Sequence, residues 1–575
     1  MPKAEFGTEQ LVSTPTRIDK IRDVFITNRV DLFSCNVARS VLKSDHFAVY
    51  VNCSPDLSTK IDKPISARRQ IKCYNRSDSS IIKLVNYFES YNWNGFILGI
   101  DSKTPSVDDV FNDFISVLQY ALDHISGFKL VTVRDKDPPY ITPFIRLLLR
   151  RRNKLIRHGQ TTQADLLSKK IGHCIERARA NSLRKASTRD TRQLWQLLRS
   201  SRNWSGKKSS QSSLNFAPGF TPTADDLKSY FASVSTDPQF SMSAVNDALN
   251  VGILTSRTTS EIFIPYTSDY IAIVLSRIKP TSPGPDGIPY WLYKNCAFQL
   301  SSIIAKLINY FVSQSVVPCV WRTANITPVP KCSPVTAASD LRPISVTSIL
   351  SRTVERLIVH EYLTPILQSN TFTDQYAYKP TGSTTCALID FTHRIHTLLE
   401  TSRYVRCVLI DFSKAFDTVD HAILIPKLFS QQIPPSVIKW IVSFLSDRTH
   451  ATRLDNKLSS YTSFNRSIVQ GSGIGPTLFV IFASDLKPLD TLNYLLKYAD
   501  DSSLLCPEHS NTSIETEMQH VMDWARLNKM LLNLMKTVEL VFHRPNVNKD
   551  LLPAPIPDIK RVTSAKLLAF ISHLS

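Results

Sequence analysis

Three aspartates stand where a fold can hold carboxylate oxygens rigidly. Asp411 ends a run over residues 405–412 that predicts a β-strand, and Asp500 and Asp501 form the acidic tip between two short apolar arms. Carboxylate oxygen is the ligand that Mg²⁺ prefers, and two such ions roughly 3.5–4 Å apart can promote phosphoryl transfer. The pattern therefore predicts a two-metal site if strand and hairpin are neighbours, although an Asp-Asp pair by itself is usually a solvated turn.

The elements around these aspartates alternate between strands and helices. The apolar periodicity predicts a hairpin over 495–505, a helix from about 420, a helix over 514–532 and a strand over 538–542. Further upstream, helices are expected around 80–92 and 107–124. Mixed strands and helices of this kind favour an α+β fold, in which an antiparallel sheet carries helices on one face.

The charge of the chain is large and local. The 575 residues carry a formal net charge of +19, and residues 146–202 alone hold sixteen Lys or Arg against three acidic residues. A charge this concentrated favours a polyanionic partner, with nucleic acid ahead of an anionic membrane, because basic residues release counterions from a phosphate backbone. The plainer alternative is a solvated helix face.

The cysteines and the hydropathy of the chain argue against a zinc protein, a disulfide-rich protein and a membrane protein. The ten cysteines include no Cys-x-x-Cys pair and lie near no His cluster, so neither zinc nor a disulfide framework is expected. The N-terminus has no apolar signal core, and no run reaches 18 apolar residues. An intracellular protein of the nucleus or cytoplasm is expected, neither secreted nor membrane-bound, with residues 150–152 as a candidate nuclear signal.

Six short blocks between about 340 and 540 carry a family resemblance. In chain order they read LRPIS (341–345), GSTT (382–385), VLIDFSKAFDTV (408–419), QGSGIGP (470–476), YADD (498–501) and the segment from Trp524 to Lys536. The order and residues of these blocks resemble those of the reverse transcriptases of non-LTR retrotransposons. Within this class, the blocks are most similar to those of jockey-like elements. The resemblance implies a right-hand polymerase with fingers and palm.

The resemblance also implies roles for individual residues. Asp411, Asp500 and Asp501 would be catalytic and would hold two Mg²⁺ ions, with Mn²⁺ as an alternative. The residues expected at the incoming dNTP are Phe412, Phe416, Arg342, Lys331, Gln470 and Lys536, with Phe416 excluding a 2′-hydroxyl. The residues expected at the template–primer are Gly471, Gly473, Gly475 and Tyr498. The implied partners are an RNA template, a DNA primer or target, and dNTPs.

Both ends of the chain depart from the family pattern. Asp45 and His46 resemble the end of an apurinic-endonuclease-like domain, of which only a remnant without nuclease activity is expected. At the other end, the chain stops at Ser575, and we expect thumb helices to be missing. The expected organisation is an endonuclease remnant (1–55), a mixed linker region (56–142), a basic helical arm (143–204), a polar linker (205–261), an N-terminal extension of the polymerase (262–324) and the reverse transcriptase domain (325–575).

The function expected is RNA-directed DNA polymerisation from a nicked DNA primer. Two alternatives stay open at this point. One is an RNA-dependent RNA polymerase, against which Phe416 argues because such an enzyme needs space for a 2′-hydroxyl. The other is a catalytically silent, truncated copy that acts at most as an RNA- or single-strand-binding protein.

Overall fold

The structure of the protein is a computed structural model. It describes the chain except for residues 1–8, 17–20, 22–24, 28–32, 39–46, 54–69, 98–104, 133–142, 159, 188–213, 256–262, 369, 456, 546, 548–551, 568–569 and 574–575. The chain divides into two compact units, one of residues 1–71 and 130–141, the other of residues 72–129 and 142–575. In the described residues of both units, no helix is long and apolar enough to cross a membrane.

The strands are short and fall into several small sheets. In chain order they are β1 (Glu9–Gln10), β2 (Ile26–Thr27), β3 (Phe33–Ala38), β4 (Ala48–Cys53), β5 (Gln70–Tyr74), β6 (Phe128–Thr132), β7 (Thr323–Pro330), β8 (Leu341–Val346), β9 (Tyr404–Ile410), β10 (Phe412–Ser413), β11 (Arg448–Leu454), β12 (Lys457–Leu458), β13 (Thr462–Phe464), β14 (Tyr494–Tyr498), β15 (Asp501–Pro507), β16 (Leu531–Leu532), β17 (Val538–His543), β18 (Lys560–Arg561), β19 (Ser564–Leu567) and β20 (Phe570–His573). In the smaller unit, β1 pairs with β2 and β3 with β4, both antiparallel.

The α-helices among the described residues lie in the larger unit. In chain order they are α1 (Asp78–Ser90), α2 (Val107–Tyr120), α3 (Pro143–Arg157), α4 (Thr161–Ser187), α5 (Ala224–Val234), α6 (Met242–Thr255), α7 (Ser268–Ser276), α8 (Tyr290–Asn295), α9 (Ala297–Ser313), α10 (Cys319–Arg322), α11 (Ile349–Ile358), α12 (Thr364–Leu367), α13 (Thr384–Thr401), α14 (His421–Phe429), α15 (Pro435–Leu445), α16 (Gly475–Phe482) and α17 (Ile514–Leu527). The helices and strands predicted around the aspartates are all confirmed, with boundaries shifted by a few residues.

The central sheet has the strand order β14-β15-β9-β17-β18. All neighbours are antiparallel except β17 and β18, which are parallel. The register places Ser502 opposite Ile410. The hairpin that ends in Asp500 and Asp501 therefore lies beside the strand that leads into Asp411, which meets the condition that the two-metal site requires.

Helices cover both faces of this sheet, so the prediction of helices on one face was wrong. Cys407 and Leu505 pack against α13 on one face, whereas Val408 and Leu504 belong to the main core with α16 and α17. The reason is visible in the sequence of β9, which is apolar at almost every position. Strands buried on both faces usually show such a continuous run, whereas strands with one solvent-exposed face alternate apolar and polar residues.

A second sheet has the order β12-β11-β7-β8, with β13 also paired to β11. β7 runs antiparallel to β8 and parallel to β11. β8 brings Arg342 opposite Val329, and the backbone N–H of Lys331 donates to the carbonyl of Asp340 at 2.8 Å. The two basic residues predicted at the triphosphate are thereby held at one end of this sheet.

Two segments interpreted as linkers contain packed helices. In the predicted mixed linker (56–142), α1 and α2 join the main core, where the Phe111 ring lies 5.3 Å from that of Trp321. In the predicted polar linker (205–261), α5 begins with a capping box between Thr223 and Asp226 and buries Phe231. The two helices of the mixed region were expected from the sequence, whereas α5 was missed, and in both segments the packing partners are distant in sequence.

Candidate active site

A cavity of about 900 Å³ opens between the central sheet, β8 and α5. Ten of the residues predicted from the sequence line it, namely Lys331, Arg342, Asp411, Phe412, Phe416, Gln470, Gly471, Asp500, Asp501 and Lys536. Of the remaining predicted residues, Gly473, Gly475 and Tyr498 lie outside its lining. Asp45 and His46 lie outside the residues that the structure describes.

The backbone of Asp411 is held by the segment after α17. The Asp411 N–H donates to Thr537 Oγ1 at 3.3 Å, and the Asp411 carbonyl accepts from the Asn533 N–H at 2.8 Å. β10, which follows Asp411 directly, pairs with β16. The carboxylate therefore extends from a backbone that is fixed on both sides.

The hairpin tip is braced in a similar way. Ala499 has φ +58°, which turns the chain between β14 and β15, and its N–H donates to Gln375 Oε1 at 3.0 Å. Behind the tip, the buried Lys497 Nζ donates to the carbonyls of Ala483 and Leu486, and lies 3.0 Å from Asp374 Oδ2. These contacts fix where Asp500 and Asp501 project.

The three carboxylates repel one another. Burial raises the pKa of Asp500, and the nearby Asp411 charge raises it further, whereas Arg342 opposes both effects. Asp501 is open to the cavity, but withdrawal from bulk water and the charges of Asp500 and Asp411 raise its pKa to about 6. A raised carboxyl pKa marks a place where added positive charge is favourable.

Lysine and arginine side chains supply part of that charge. Lys536 Nζ lies 3.8 Å from Asp411 Oδ2, and Lys331 Nζ donates to the Ser339 carbonyl at 2.8 Å. Burial lowers the pKa of Lys331, and the charges of Lys536 and Arg342 lower it further. Several cations thus crowd one side of the cavity, which suits a ligand with more than one negative charge.

The donor set fits a hard divalent cation, although the side chains are not yet arranged as a coordination shell. Asp411, Asp500 and Asp501 offer only oxygen, the donor that Mg²⁺ and Mn²⁺ take. Within the described part of the chain, no three Asp, Glu, His or Cys side chains are grouped closely enough to hold a metal ion as they stand. Rotation of the carboxylates, including release of Asp411 from Lys536, would be needed.

The two phenylalanines of the 408–419 block differ in their setting. Phe416 is half-buried at the cavity wall, and its ring stacks on Phe479 with centroids 4.5 Å apart. Phe412 is 7% exposed, and its ring packs edge-on against Trp524 at 5.9 Å. The Phe416 ring therefore faces the ligand space, whereas the ring of Phe412 belongs mainly to the core.

The glycines predicted at the template–primer meet protein atoms. A Cβ on Gly471 would lie 2.5 Å from the Ser345 carbonyl oxygen, and one on Gly475 would lie 2.7 Å from Ser472 Oγ. Gly473 faces α11, and its N–H donates to Glu355 Oε2 at 2.6 Å. These glycines are needed for packing within the protein, while their contact with nucleic acid stays a prediction.

Gly471→Ala is expected to destabilise the protein. Gly471 has φ +104°, so an alanine would be strained by roughly 1–3 kcal/mol even before its clash with Ser345. We expect a melting temperature lower by several degrees in thermal unfolding followed by circular dichroism. Gly172→Ala, which has no heavy atom within 4 Å of the new Cβ, is the control and is expected to cause no loss. Equal melting temperatures for the two variants would contradict the packing role.

The cavity-wall residues to which sequence reasoning assigned no role include Tyr230, Phe231, Tyr378 and Asp417. The first two come from α5, in the segment interpreted as a linker. Tyr378 has φ +57° beside the hairpin tip, which no local pattern indicates. Asp417 belongs to the 408–419 block. Its position directly after Phe416 could have indicated that it lies at the cavity.

Known proteins resemble this chain over its second half and beyond. The family described as reverse transcriptase (RNA-dependent DNA polymerase) matches residues 329–570. The RNA-directed DNA polymerase from mobile element jockey of Drosophila melanogaster is 26% identical over 274 residues, which is 45% of this chain and 30% of that protein. The jockey polymerase of Drosophila funebris is 22% identical over 555 residues, 90% of this chain and 59% of its own length.

A third relative comes from another kind of retrotransposable element. The Pol polyprotein from type-1 retrotransposable element R2 of Popillia japonica is 25% identical over 291 residues, 48% of this chain and 39% of that protein. The chain thus spans between 30% and 59% of the length of these three relatives. Residues 329–570, less than half of the chain, match the reverse transcriptase (RNA-dependent DNA polymerase) family, and the chain has homologues among the polymerases of jockey mobile elements.

Proposed function

We propose that the chain copies RNA into DNA as the reverse transcriptase of a non-LTR retrotransposon, extending a primer such as the end of a nicked DNA target. One observation carries the proposal. Asp411, Asp500 and Asp501 line one cavity together with the cations Lys331, Arg342 and Lys536, within the residues that match the family. This arrangement favours catalysis over the silent, nucleic-acid-binding alternative, because binding alone gives no reason to collect three repelling carboxylates.

In this proposal the central sheet is the palm, and the sheet of β7 and β8 belongs to the fingers. Palm and fingers then supply opposite charges to the same ligand. Arg342 and Lys331, from the fingers side, attract the triphosphate, and Arg342 can bind it in a bidentate manner. Backbone amides near Lys414, which has φ +52°, offer further donors to phosphate oxygens.

The palm carboxylates would hold the divalent ions. When bound, these ions activate the primer 3′-hydroxyl and stabilise the charge on the triphosphate and leaving pyrophosphate. Lys536 lies close enough to Asp411 to neutralise charge that develops nearby. Phe416, held by Phe479, would occupy the space that a ribonucleotide 2′-hydroxyl needs.

Primer extension tests the proposal directly. The full chain is supplied with poly-A, oligo-dT and Mg²⁺, together with either dTTP or UTP. We expect extension with dTTP and little with UTP. Extension with UTP but not with dTTP would indicate an RNA polymerase, and absence of extension combined with tight, salt-sensitive RNA binding would indicate the silent binder.

We further infer that α3 and α4 bind the phosphate backbone of RNA. The helices pack against each other and bury Leu148 and Ile171, which leaves Arg151, Lys154 and Arg157 exposed. Among the residues that the structure describes, these three make no ion pair with an acidic side chain. Unpaired charges on a rigid helix are suited to phosphate contacts.

Replacing Arg151, Lys154 and Arg157 by Gln is expected to weaken RNA binding and its salt dependence. Each lost phosphate contact on a single strand lowers the slope of log K against log salt by about 0.7, so three lower it by about 2. Filter binding or fluorescence anisotropy at several salt concentrations measures this slope. The control variant replaces three other exposed lysines by Gln, namely Lys294, Lys560 and Lys566. An unchanged slope in the first variant would contradict the role of α3.

A further inference from the structure

One wall of the cavity comes from a helix outside the residues that match the family. α5 lies upstream of residues 329–570, and it lines the cavity through Tyr230, Phe231 and Val234. Phe231 is 4% exposed and belongs to the core, whereas Tyr230 and Val234 are half-buried at the cavity surface. None of the three has a task in the proposed mechanism.

α5 is tied at its C-terminal end to the segment that follows β13. The Arg466 guanidinium donates to the Val234 carbonyl, from Nε at 3.3 Å and from Nη2 at 3.0 Å. The N–H groups of Asn465 and Arg466 donate to the Ser235 carbonyl at 3.3 Å and 3.1 Å. These contacts make α5 a fixed wall, so that its side chains can hold other groups in place.

The ring of Tyr230 lies against the lysine of the 408–419 block. Lys414 Nζ is 4.8 Å from the centroid of the Tyr230 ring, which is within the range of cation–π attraction. Lys414 is exposed, and among the described residues its ammonium makes no ion pair with a carboxylate. The Lys414 carbonyl accepts from the Asp417 N–H at 2.8 Å, which holds the backbone at this position.

The charge of Lys414 acts inside the cavity. Burial raises the pKa of Asp417 to about 6, and the charges of Lys331 and Lys414 oppose this rise. Burial lowers the pKa of Lys331, and the Lys414 charge adds to this effect. The two ammonium groups therefore repel each other, and an anion placed between them would relieve the repulsion.

We propose that Tyr230 is a positioning residue that holds the Lys414 ammonium at the cavity wall, where the ammonium binds a phosphate group of the substrate. The inference rests on the proposed function, and it adds a residue from outside the matched range. A free lysine side chain samples many rotamers, and fixing one of them for a ligand costs entropy. Contact with the ring restricts these rotamers before the ligand arrives. The phosphate group belongs either to the incoming triphosphate or to the template–primer backbone, which share this chemistry.

The test combines single-nucleotide incorporation of dTTP by the full chain on poly-A and oligo-dT with the Kd of that template–primer, measured by fluorescence anisotropy. We expect Tyr230→Leu to raise the KM for dTTP about threefold, with kcat within about twofold, because an exposed cation–π contact is worth roughly that factor. Lys414→Met should raise KM about tenfold, and Tyr230→Leu should add nothing in that background. Tyr230→Phe keeps the ring face and should restore KM. A rise in the Kd of the template–primer in place of KM would also support the role of Tyr230, and would assign the phosphate to the nucleic-acid backbone.

Tyr120→Leu is the control, since it removes an exposed ring of α2 outside the cavity lining and should change neither KM nor Kd. Losses that multiply in the double variant, or equal losses in Tyr230→Phe and Tyr230→Leu, would overturn the inference. If Tyr230→Leu melts below the assay temperature, pentafluorophenylalanine at position 230 replaces it, because this residue keeps the shape of Phe and reverses the attraction of the ring for cations. A KM and Kd equal to those of Tyr230→Phe would then refute the role of the ring.

Binding of inorganic tripolyphosphate, measured by isothermal titration calorimetry, separates this inference from the proposed function because it needs no catalysis. About threefold weaker binding in Tyr230→Leu, combined with absence of extension by the unaltered chain, would support the phosphate site and overturn the proposed function. Extension by the unaltered chain, combined with equal KM, Kd and tripolyphosphate affinity in Tyr230→Leu, would do the reverse.

Discussion

Asp500→Asn is expected to reduce primer extension by about 1,000-fold or more, because it removes one charged oxygen ligand from a site that works by electrostatic stabilisation. The fold should survive, since the substitution is isosteric and relieves repulsion from Asp411. Affinity for RNA should stay nearly unchanged, since α3 and α4 are untouched. Single-turnover incorporation and RNA binding are measured on the same preparation.

Asp455→Asn provides a matched control for Asp500→Asn. Asp455 is an exposed aspartate at the turn between β11 and β12, with φ +52°, and it lies outside the cavity lining. We expect extension within about twofold of the unaltered chain, since exposed substitutions away from a site rarely matter. Equal losses of activity and RNA affinity in Asp500→Asn would show that the carboxylate supports the fold instead of the reaction.

Phe416→Ala is expected to let the enzyme incorporate ribonucleotides. An apolar wall rejects an added hydroxyl by about 100-fold, so removal of the ring should lower the preference for dTTP over UTP by about that factor. Use of dTTP should fall less, although Phe479 loses its stacking partner. The measurement is the ratio of kcat/KM for the two nucleotides on the same RNA template and primer.

Phe464→Ala is the control that distinguishes a direct effect of Phe416 on sugar selection from a general loss of packing. Phe464 is half-buried like Phe416, but its ring contacts His450 and lies outside the cavity lining. We expect an unchanged ratio of dTTP to UTP in this variant. If both variants relaxed the ratio equally, Phe416 would be a packing residue without a direct role at the sugar.

The strands and acids of the site could be predicted because their signal is local. An apolar run that ends in Asp411, and two apolar arms around Asp500, specify a strand and a hairpin without knowledge of the rest of the chain. The adjacency of strand and hairpin was a condition of the two-metal site that no local pattern indicates. The register of Ser502 opposite Ile410 meets this condition.

The parts that could not be predicted depend on contacts distant in sequence. α5 lines the cavity through Tyr230 and Phe231, yet its neighbours on β7 and β11 follow about a hundred residues or more later. α2 was expected as a helix, but its packing of Phe111 against Trp321, far later in the chain, could not be predicted from a local pattern. The clash that a side chain on Gly471 would make likewise comes from the carbonyl of Ser345 on β8, which no local pattern indicates.

The central claim is that the three carboxylates at this cavity drive synthesis of DNA templated by RNA. Extension of a DNA primer by the full chain on an RNA of mixed sequence tests it most directly, with each dNTP withheld in turn and with EDTA added before or after Mg²⁺. We predict DNA that pauses at each position that requires the missing nucleotide, lost with EDTA and restored by excess Mg²⁺. Products that ignore the template sequence, or synthesis that persists in EDTA, would contradict the account.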